Sequence, residues 1–153
     1  MNILTTQYTL QTKSLDIYIA GCSGSPHCKN CHNPESWDFS LGEPYDGVYW
    51  NKLSIKLQEF DTIIDNIMIF GGEPLDNNLD ELYQLLLDLS LTDKKIWLFT
   101  RYDLPNMPDF VKRYCNYIKC GRYIEELKSD DNVQYGIKLA TSNQKMYKKG
   151  IDY

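Results

Sequence analysis

The chain has 153 residues, of which 42% are hydrophobic and 24% charged, with a formal net charge of −5. That length fits one domain, spanning 1–153, that buries a core without disulfide staples. The composition excludes a disordered chain, and scattered Lys and Arg in an acidic background exclude the positive field that direct nucleic acid binding needs.

Met1–Leu10 is polar and uncharged, with no basic segment followed by an apolar one, so no secretory leader is expected. No apolar stretch approaches the ~20 residues of a membrane span. The greasiest window, Leu79–Leu91, is broken by Gln84, Asp88 and Ser90. A soluble, cytoplasmic protein with no membrane partner is the expectation. Leu15–Ile19 is a short β-rich run that stops at Ala20–Gly21. Tyr49–Phe60 predicts a helix, with Trp50, Leu53, Leu57 and Phe60 on one stripe. Ile67–Phe70 is a buried strand ending at Gly71–Gly72. Leu79–Leu89 is the clearest helix, with Leu79, Leu82, Leu86 and Leu89 on one face and Asn77 or Asn78 as its cap. Lys95–Phe99 is a further strand, a short helix follows Pro108, and Asn116–Lys119 is a weaker strand before Cys120–Gly121. The tail lysines Lys145, Lys148 and Lys149 read as a solvated face.

Alternating strands and helices predict an α/β fold with a mostly parallel sheet. The chain is too short for a full eightfold barrel of ~250 residues, so a partial, open βα barrel is expected. Ligands gather at the carboxyl ends of parallel strands. The cysteine loop, Gly71–Gly72–Glu73–Pro74 and Thr100–Arg101–Tyr102 each follow a strand and are expected at one rim.

The loop Gly21–Trp37 holds three of the five cysteines and both histidines. An odd number of cysteines in a reducing compartment argues against pairing and for metal ligation or redox chemistry. Cys22, Cys28 and Cys31 have the spacing C-x5-C-x2-C. Structural zinc with His27 or His32 as fourth ligand, a reactive or incidental thiol cluster, and an iron–sulfur cluster on three thiolates are all compatible with it. The zinc reading has the drawback that such sites usually draw ligands from two separated pairs. Three thiolates on a four-iron cube leave one iron open to a substrate.

The strand before Gly21–Cys22, the C-x2-C pair, Asn33–Pro34–Glu35–Ser36–Trp37 and Gly71–Gly72–Glu73–Pro74 resemble the radical S-adenosylmethionine (SAM) enzymes. With Ile96–Thr100, Gly121–Leu127 and Ser142–Asn143–Gln144, the chain more narrowly resembles the activating enzymes of anaerobic (class III) ribonucleotide reductase, from about Asp16 to Tyr147. The resemblance implies a [4Fe-4S] cluster on Cys22, Cys28 and Cys31. It also implies SAM bound by Asn30, His32, Asn33, Gly71, Gly72, Glu73, Pro74 and Thr100, with no catalytic side chain beyond cluster and cofactor. Glu73 is expected to meet the methionine ammonium and the glycines to let the backbone approach the cofactor. For Thr100, a turn cap remains the alternative to a contact with SAM. The implied reaction is reductive cleavage of SAM and removal of a hydrogen from a backbone glycine of the reductase, leaving a glycyl radical. The implied partners are that reductase, which covers the open rim and supplies the missing barrel wall, and an electron donor such as a flavodoxin; a homodimer or a complex with the reductase is compatible. Another glycyl-radical enzyme or a small molecule as substrate, and a non-enzymatic zinc adaptor, are the alternatives.

The sequence departs from the family pattern in three places. The usual loop is C-x3-C-x2-C, so two residues are inserted within Ser23–His27. A small flexible insert lengthens the loop at a cost well under ~1 kcal/mol. His27 is read as a spectator, since as a ligand it would fill the iron that SAM needs. Asn30 stands where many members have an aromatic, and Cys120 where an acidic residue is common. Cys115 and Cys120 are read as a near-surface and a core thiol rather than a second cluster.

Overall fold

In the computed structural model, which describes residues 1–153, alternation along the apolar strands decides which side chains meet the helices. The strands are β1 (Asn2–Thr9), β2 (Ser14–Ile19), β3 (Glu43–Pro44), β4 (Asn66–Gly71), β5 (Lys95–Phe99), β6 (Tyr117–Cys120), β7 (Val133–Gln134), β8 (Ile137–Lys138) and β9 (Lys145–Lys148). The helices are α1 (Gly47–Glu59), α2 (Leu79–Leu89) and α3 (Asp109–Tyr114). No helix is long and apolar enough to cross a membrane.

Seven strands form one sheet in the order β3-β1-β2-β4-β5-β6-β9, and β7 pairs with β8 in a separate ribbon. β2, β4, β5 and β6 are mutually parallel. Each is joined to the next by a helix, so the expected βαβ centre is present. β1 and β9 add antiparallel strands at the two flanks. Neither flank was expected from the sequence. β1 carries no apolar run, only alternation around a buried Ile3. The tail lysines are not a plain solvated face, because Lys145–Lys148 is a strand whose Met146 is buried and whose Tyr147 packs on the core.

The helix-facing residues of the parallel strands (Leu15, Ile17, Ile19, Ile67, Ile69, Ile96, Leu98 and Ile118) join Leu53, Leu57, Leu82, Leu85, Leu86, Leu89 and Val111 in one core. On α2 the stripe differs from expectation at one position: Leu79 is exposed and Leu85 is buried. Asn78 caps the helix by accepting from Asp80 N–H at 2.9 Å and Glu81 N–H at 3.4 Å. The opposite sheet face carries Met68, Trp97 and Tyr117, closed by the chain's own Leu139 and Met146. Trp97 and Tyr117 stack with centroids 3.7 Å apart. Part of the wall over that face is therefore supplied by the chain itself. Cys115 is in the core beside Cys120, with both fully or nearly fully buried, so Cys115 is not a near-surface thiol. All five cysteines are free.

Candidate functional site

The segments leaving the carboxyl ends of β2, β4, β5 and β6 surround one cleft of about 270 Å³. This is where a parallel sheet presents its loops to ligands. Cys22, Cys28 and Cys31 line it together with His32, Asn33, Gly71, Gly72 and Thr100. Asn30, Glu73 and Pro74 stand outside the lining.

The cysteine loop is closed at its base by the main chain. Gly21 N–H donates to Ser36 O at 2.7 Å and Cys22 N–H to Trp37 O at 3.1 Å. The buried Ser36 hydroxyl donates to Asn33 O at 2.6 Å. Asn30 takes a φ of 54°, a left-handed turn that asparagine tolerates, and delivers the chain to Cys31. Cys31 N–H donates to Cys28 O at 3.2 Å. The inserted segment is pinned. The His27 ring stacks on Trp37 with centroids 4.0 Å apart, and its Nε2 donates to Cys22 O at 2.9 Å. Arg122 donates to Pro26 O.

Gly72 is required by the neighbouring main chain. A Cβ there would lie 2.1 Å from Gly21 O. The glycine is what lets the end of β4 tuck under the cysteine loop, and Glu73 N–H then donates to Gly21 O at 2.7 Å.

Glu73 is 1% exposed and acts as a latch between two strand ends. Its Oε1 accepts from Thr100 Oγ1 at 2.6 Å and Leu75 N–H at 3.1 Å, and its Oε2 accepts from Arg101 N–H at 2.7 Å. Burial pushes its pKa up, while the Arg101, Thr100 and Leu75 donors pull it back. The Thr100 hydroxyl also accepts from Tyr102 N–H at 3.1 Å, so it caps the turn after β5. Asp76 continues the network, accepting from Ser23 N–H at 2.6 Å, Arg101 Nη2 at 2.9 Å and the Tyr102 hydroxyl at 2.7 Å. Burial acts to raise its pKa, but the Tyr102, Ser23 and Arg101 donors outweigh it and hold the carboxyl low. One carboxylate thus ties the cysteine loop to the ends of β4 and β5. Burial pushes the Cys22 thiol up.

Three residues here were not given roles from the sequence. Asp76 and Arg101 carry no local signal, because their pairing is made by the fold. Lys119 did carry one: it is a cation two positions after Tyr117 in a strand, so period two places it on the concave face. Its Nζ donates to Gly121 O at 2.8 Å and Thr100 O at 3.4 Å, and it lines the cleft. Burial lowers its pKa to about 8. The terminal signature is also at the site, since Gln144 lines the cleft and accepts from Ala140 N–H at 3.0 Å.

Three thiols on one cleft suit an iron–sulfur cluster. A zinc ion needs its ligands within ~2.0–2.3 Å of one point. Here no three His, Cys, Asp or Glu side chains meet at one ion. A cube takes each thiolate on a different iron, so it needs thiols that line one cavity without converging on one point, and all three line this cleft. Arg101 Nε is buried without a hydrogen-bond partner, which leaves a free donor on a residue of the cleft wall.

Residues 13–146 match the protein family described as a 4Fe-4S single cluster domain. The chain is also similar to proteins named anaerobic ribonucleoside-triphosphate reductase-activating protein. Those of Haemophilus influenzae and Vibrio cholerae are each 28% identical over 116 residues, 72% of this chain and 74% of the relative. The Pasteurella multocida protein is 25% identical over 140 residues, 86% of this chain and 85% of the relative.

Proposed function

The chain belongs to the 4Fe-4S single cluster domain family, and on that footing we propose that it is the activating enzyme of an anaerobic ribonucleoside-triphosphate reductase, working through a [4Fe-4S] cluster and SAM on a partial, open βα barrel. The observation that carries this reading is the lining of the cleft: Cys22, Cys28 and Cys31 face it, while Cys115 and Cys120 are in the core. His27 is held by Trp37 and the Cys22 carbonyl. The thiolates of Cys22, Cys28 and Cys31 would hold three irons and leave the fourth for the methionine amino and carboxylate groups of SAM. A cluster held there would supply one electron for breaking the S–C5′ bond of SAM, with methionine as one product and the glycine hydrogen of the reductase ending on the 5′ carbon as 5′-deoxyadenosine.

The chain's own residues position and shelter that chemistry. Gly71, Gly72, Asn33, His32 and Thr100 line the cleft and would border the cofactor there. Phe70 and Phe99, with centroids 4.2 Å apart, give an apolar wall that excludes water from the reacting groups. Glu73 contributes by fixing the turn on which Gly72 sits. Pro74 starts the helical turn behind it, and Asn30 sets the bend before Cys31. A one-electron donor such as a flavodoxin supplies the electron, and the reductase covers the mouth of the cleft.

The test is anaerobic reconstitution followed by assay of 5′-deoxyadenosine release and of glycyl-radical formation on the reductase. Brown protein that cleaves SAM, with cleavage lost in a folded Cys28→Ala variant, supports the reading. Colourless protein that keeps one zinc per chain refutes it.

A further inference from the structure

Three cations line the cleft: Arg101, Lys119 and Lys138. Two of them are neutralised within the protein. Arg101 Nη2 donates to Asp76 Oδ1 at 2.9 Å, and Lys138 Nζ is 2.6 Å from Asp130 Oδ1. Lys119 is different, because its ammonium touches only the carbonyl oxygens of Gly121 and Thr100. Those dipoles orient it at the ends of β5 and β6 but do not cancel its charge. Its neighbours on the concave face are the Phe99 and Tyr117 strand positions, which offer no charge, and the Glu73 carboxylate, whose charge does act on it, makes no ion pair with it.

A buried positive charge that makes no ion pair is costly. It persists in a functional site when an anion arrives there. Glu73, Cys120 and Cys28, in that order, are the groups whose charge acts on Lys119, and of these only Cys28 lines the cleft, where the cysteine thiolates are the anions that the chain itself supplies. We propose that Lys119 is the counter-ion of the thiolate-ligated cluster and holds its reduction potential up. The proposal rests on the cluster reading above.

The physical reason is simple. A three-thiolate [4Fe-4S]²⁺ cluster is an anion, and the one-electron step to [4Fe-4S]⁺ adds a further negative charge. A fixed ammonium stabilises the reduced form more than the oxidised one, and the low dielectric of the cleft preserves the effect. Potential is known to follow net charge and hydrogen bonding around a cluster. Lys119 acts through the field and is a positioning residue rather than a catalytic one. The electron in the step comes from a low-potential one-electron donor, in the test a poised mediator solution.

The experiment is an electron paramagnetic resonance (EPR)-monitored redox titration at pH 7 of anaerobically reconstituted full-length protein, without SAM. Wild type is compared with Lys119→Arg, Lys119→Met and Lys119→Gln. Glutamine keeps a donor for Gly121 O but no charge. At a fixed poise, the two neutral variants are expected to show about tenfold less reduced cluster relative to oxidised, a shift of about 59 mV for a one-electron couple. Lys119→Arg should stay near wild type. Neutral variants that bind iron as wild type does and titrate at the same potential overturn the proposal. If both neutral variants lose the cluster while Lys119→Arg keeps it, the charge is needed and the proposal stands; if Lys119→Arg loses it too, shape is what matters and the proposal falls. Wild-type protein that takes up no iron instead refutes the cluster reading, so the two failures are separable.

Discussion

Removal of the Glu73 carboxylate separates a structural latch from a cofactor contact. In Glu73→Ala the N–H groups of Leu75 and Arg101 and the Thr100 hydroxyl lose an acceptor that they meet at 3.1, 2.7 and 2.6 Å. The Arg101 guanidinium also loses a carboxylate 3.9 Å from its Nε. Orphaned buried donors cost about 1–3 kcal/mol each, but the loss is less than their sum, because Thr100 can rotate and the cost of burying Glu73 is recovered. With three donors orphaned and the Arg101 guanidinium still paired with Asp76, about 3–5 kcal/mol is the expected loss for Glu73→Ala. Glu73→Gln keeps an acceptor for Thr100 and Leu75 but sets an NH₂ against Arg101 N–H, so about 1–3 kcal/mol is expected. In a chain of this size about 4 kcal/mol corresponds to a fall in Tm of roughly 10 °C. The assay is urea and thermal unfolding of the metal-free protein, where no cofactor contributes. If Glu73→Ala unfolds within ~0.5 kcal/mol of wild type, about the scatter of ordinary surface changes, and only SAM affinity falls, the latch is refuted and Glu73 faces the cofactor instead.

Gly72→Ala brings a Cβ to 2.1 Å from Gly21 O, a clash between two backbones, whereas a Cβ on Gly47 meets nothing within 4 Å. Gly72→Ala is expected to cost at least ~3 kcal/mol and to impair iron uptake, and Gly47→Ala to leave both within ~1 kcal/mol of wild type, read by unfolding and iron content. Asn78→Ala removes the acceptor for Asp80 N–H and Glu81 N–H at the start of α2. It should lower stability by about 1 kcal/mol in urea. Complete burial pushes the Cys115 thiol up from its ordinary value. Because its folded pKa is raised, the folded state keeps the proton that the unfolded chain releases, so stability is level below about pH 8 and falls above it. The slope is at most about 1.4 kcal/mol per pH unit from this group. Cys115→Ala should flatten the fall between pH 8 and 10, and an unchanged pH profile would contradict that burial.

The parallel centre was legible because its signals are local. Ile67–Phe70 and Lys95–Phe99 are short apolar runs closed by glycine or a polar rim, and both are strands. The three cleft cysteines were legible from spacing, and the place of Gly71, Gly72 and Thr100 just after strands put them at the same rim. The flanking strands were hidden because β1 and β9 depend on partners far away in sequence, Ile3 opposite Ile19 and Met146 opposite Lys119. The role of Glu73 was hidden for a related reason. A carboxylate after Gly71–Gly72 is equally suited to hold a ligand or a neighbouring turn, and only the approach of Thr100 and Arg101 decides which groups it meets. Lys119 was overlooked because the strand carrying it is short, although its position relative to Tyr117 places it on the concave face.

Titration of the reduced cluster with SAM, followed by EPR, tests the central claim most directly. The account predicts a change in the spectrum that saturates at about one SAM per chain and is absent from Cys28→Ala. A reduced cluster whose spectrum is indifferent to saturating SAM would contradict it.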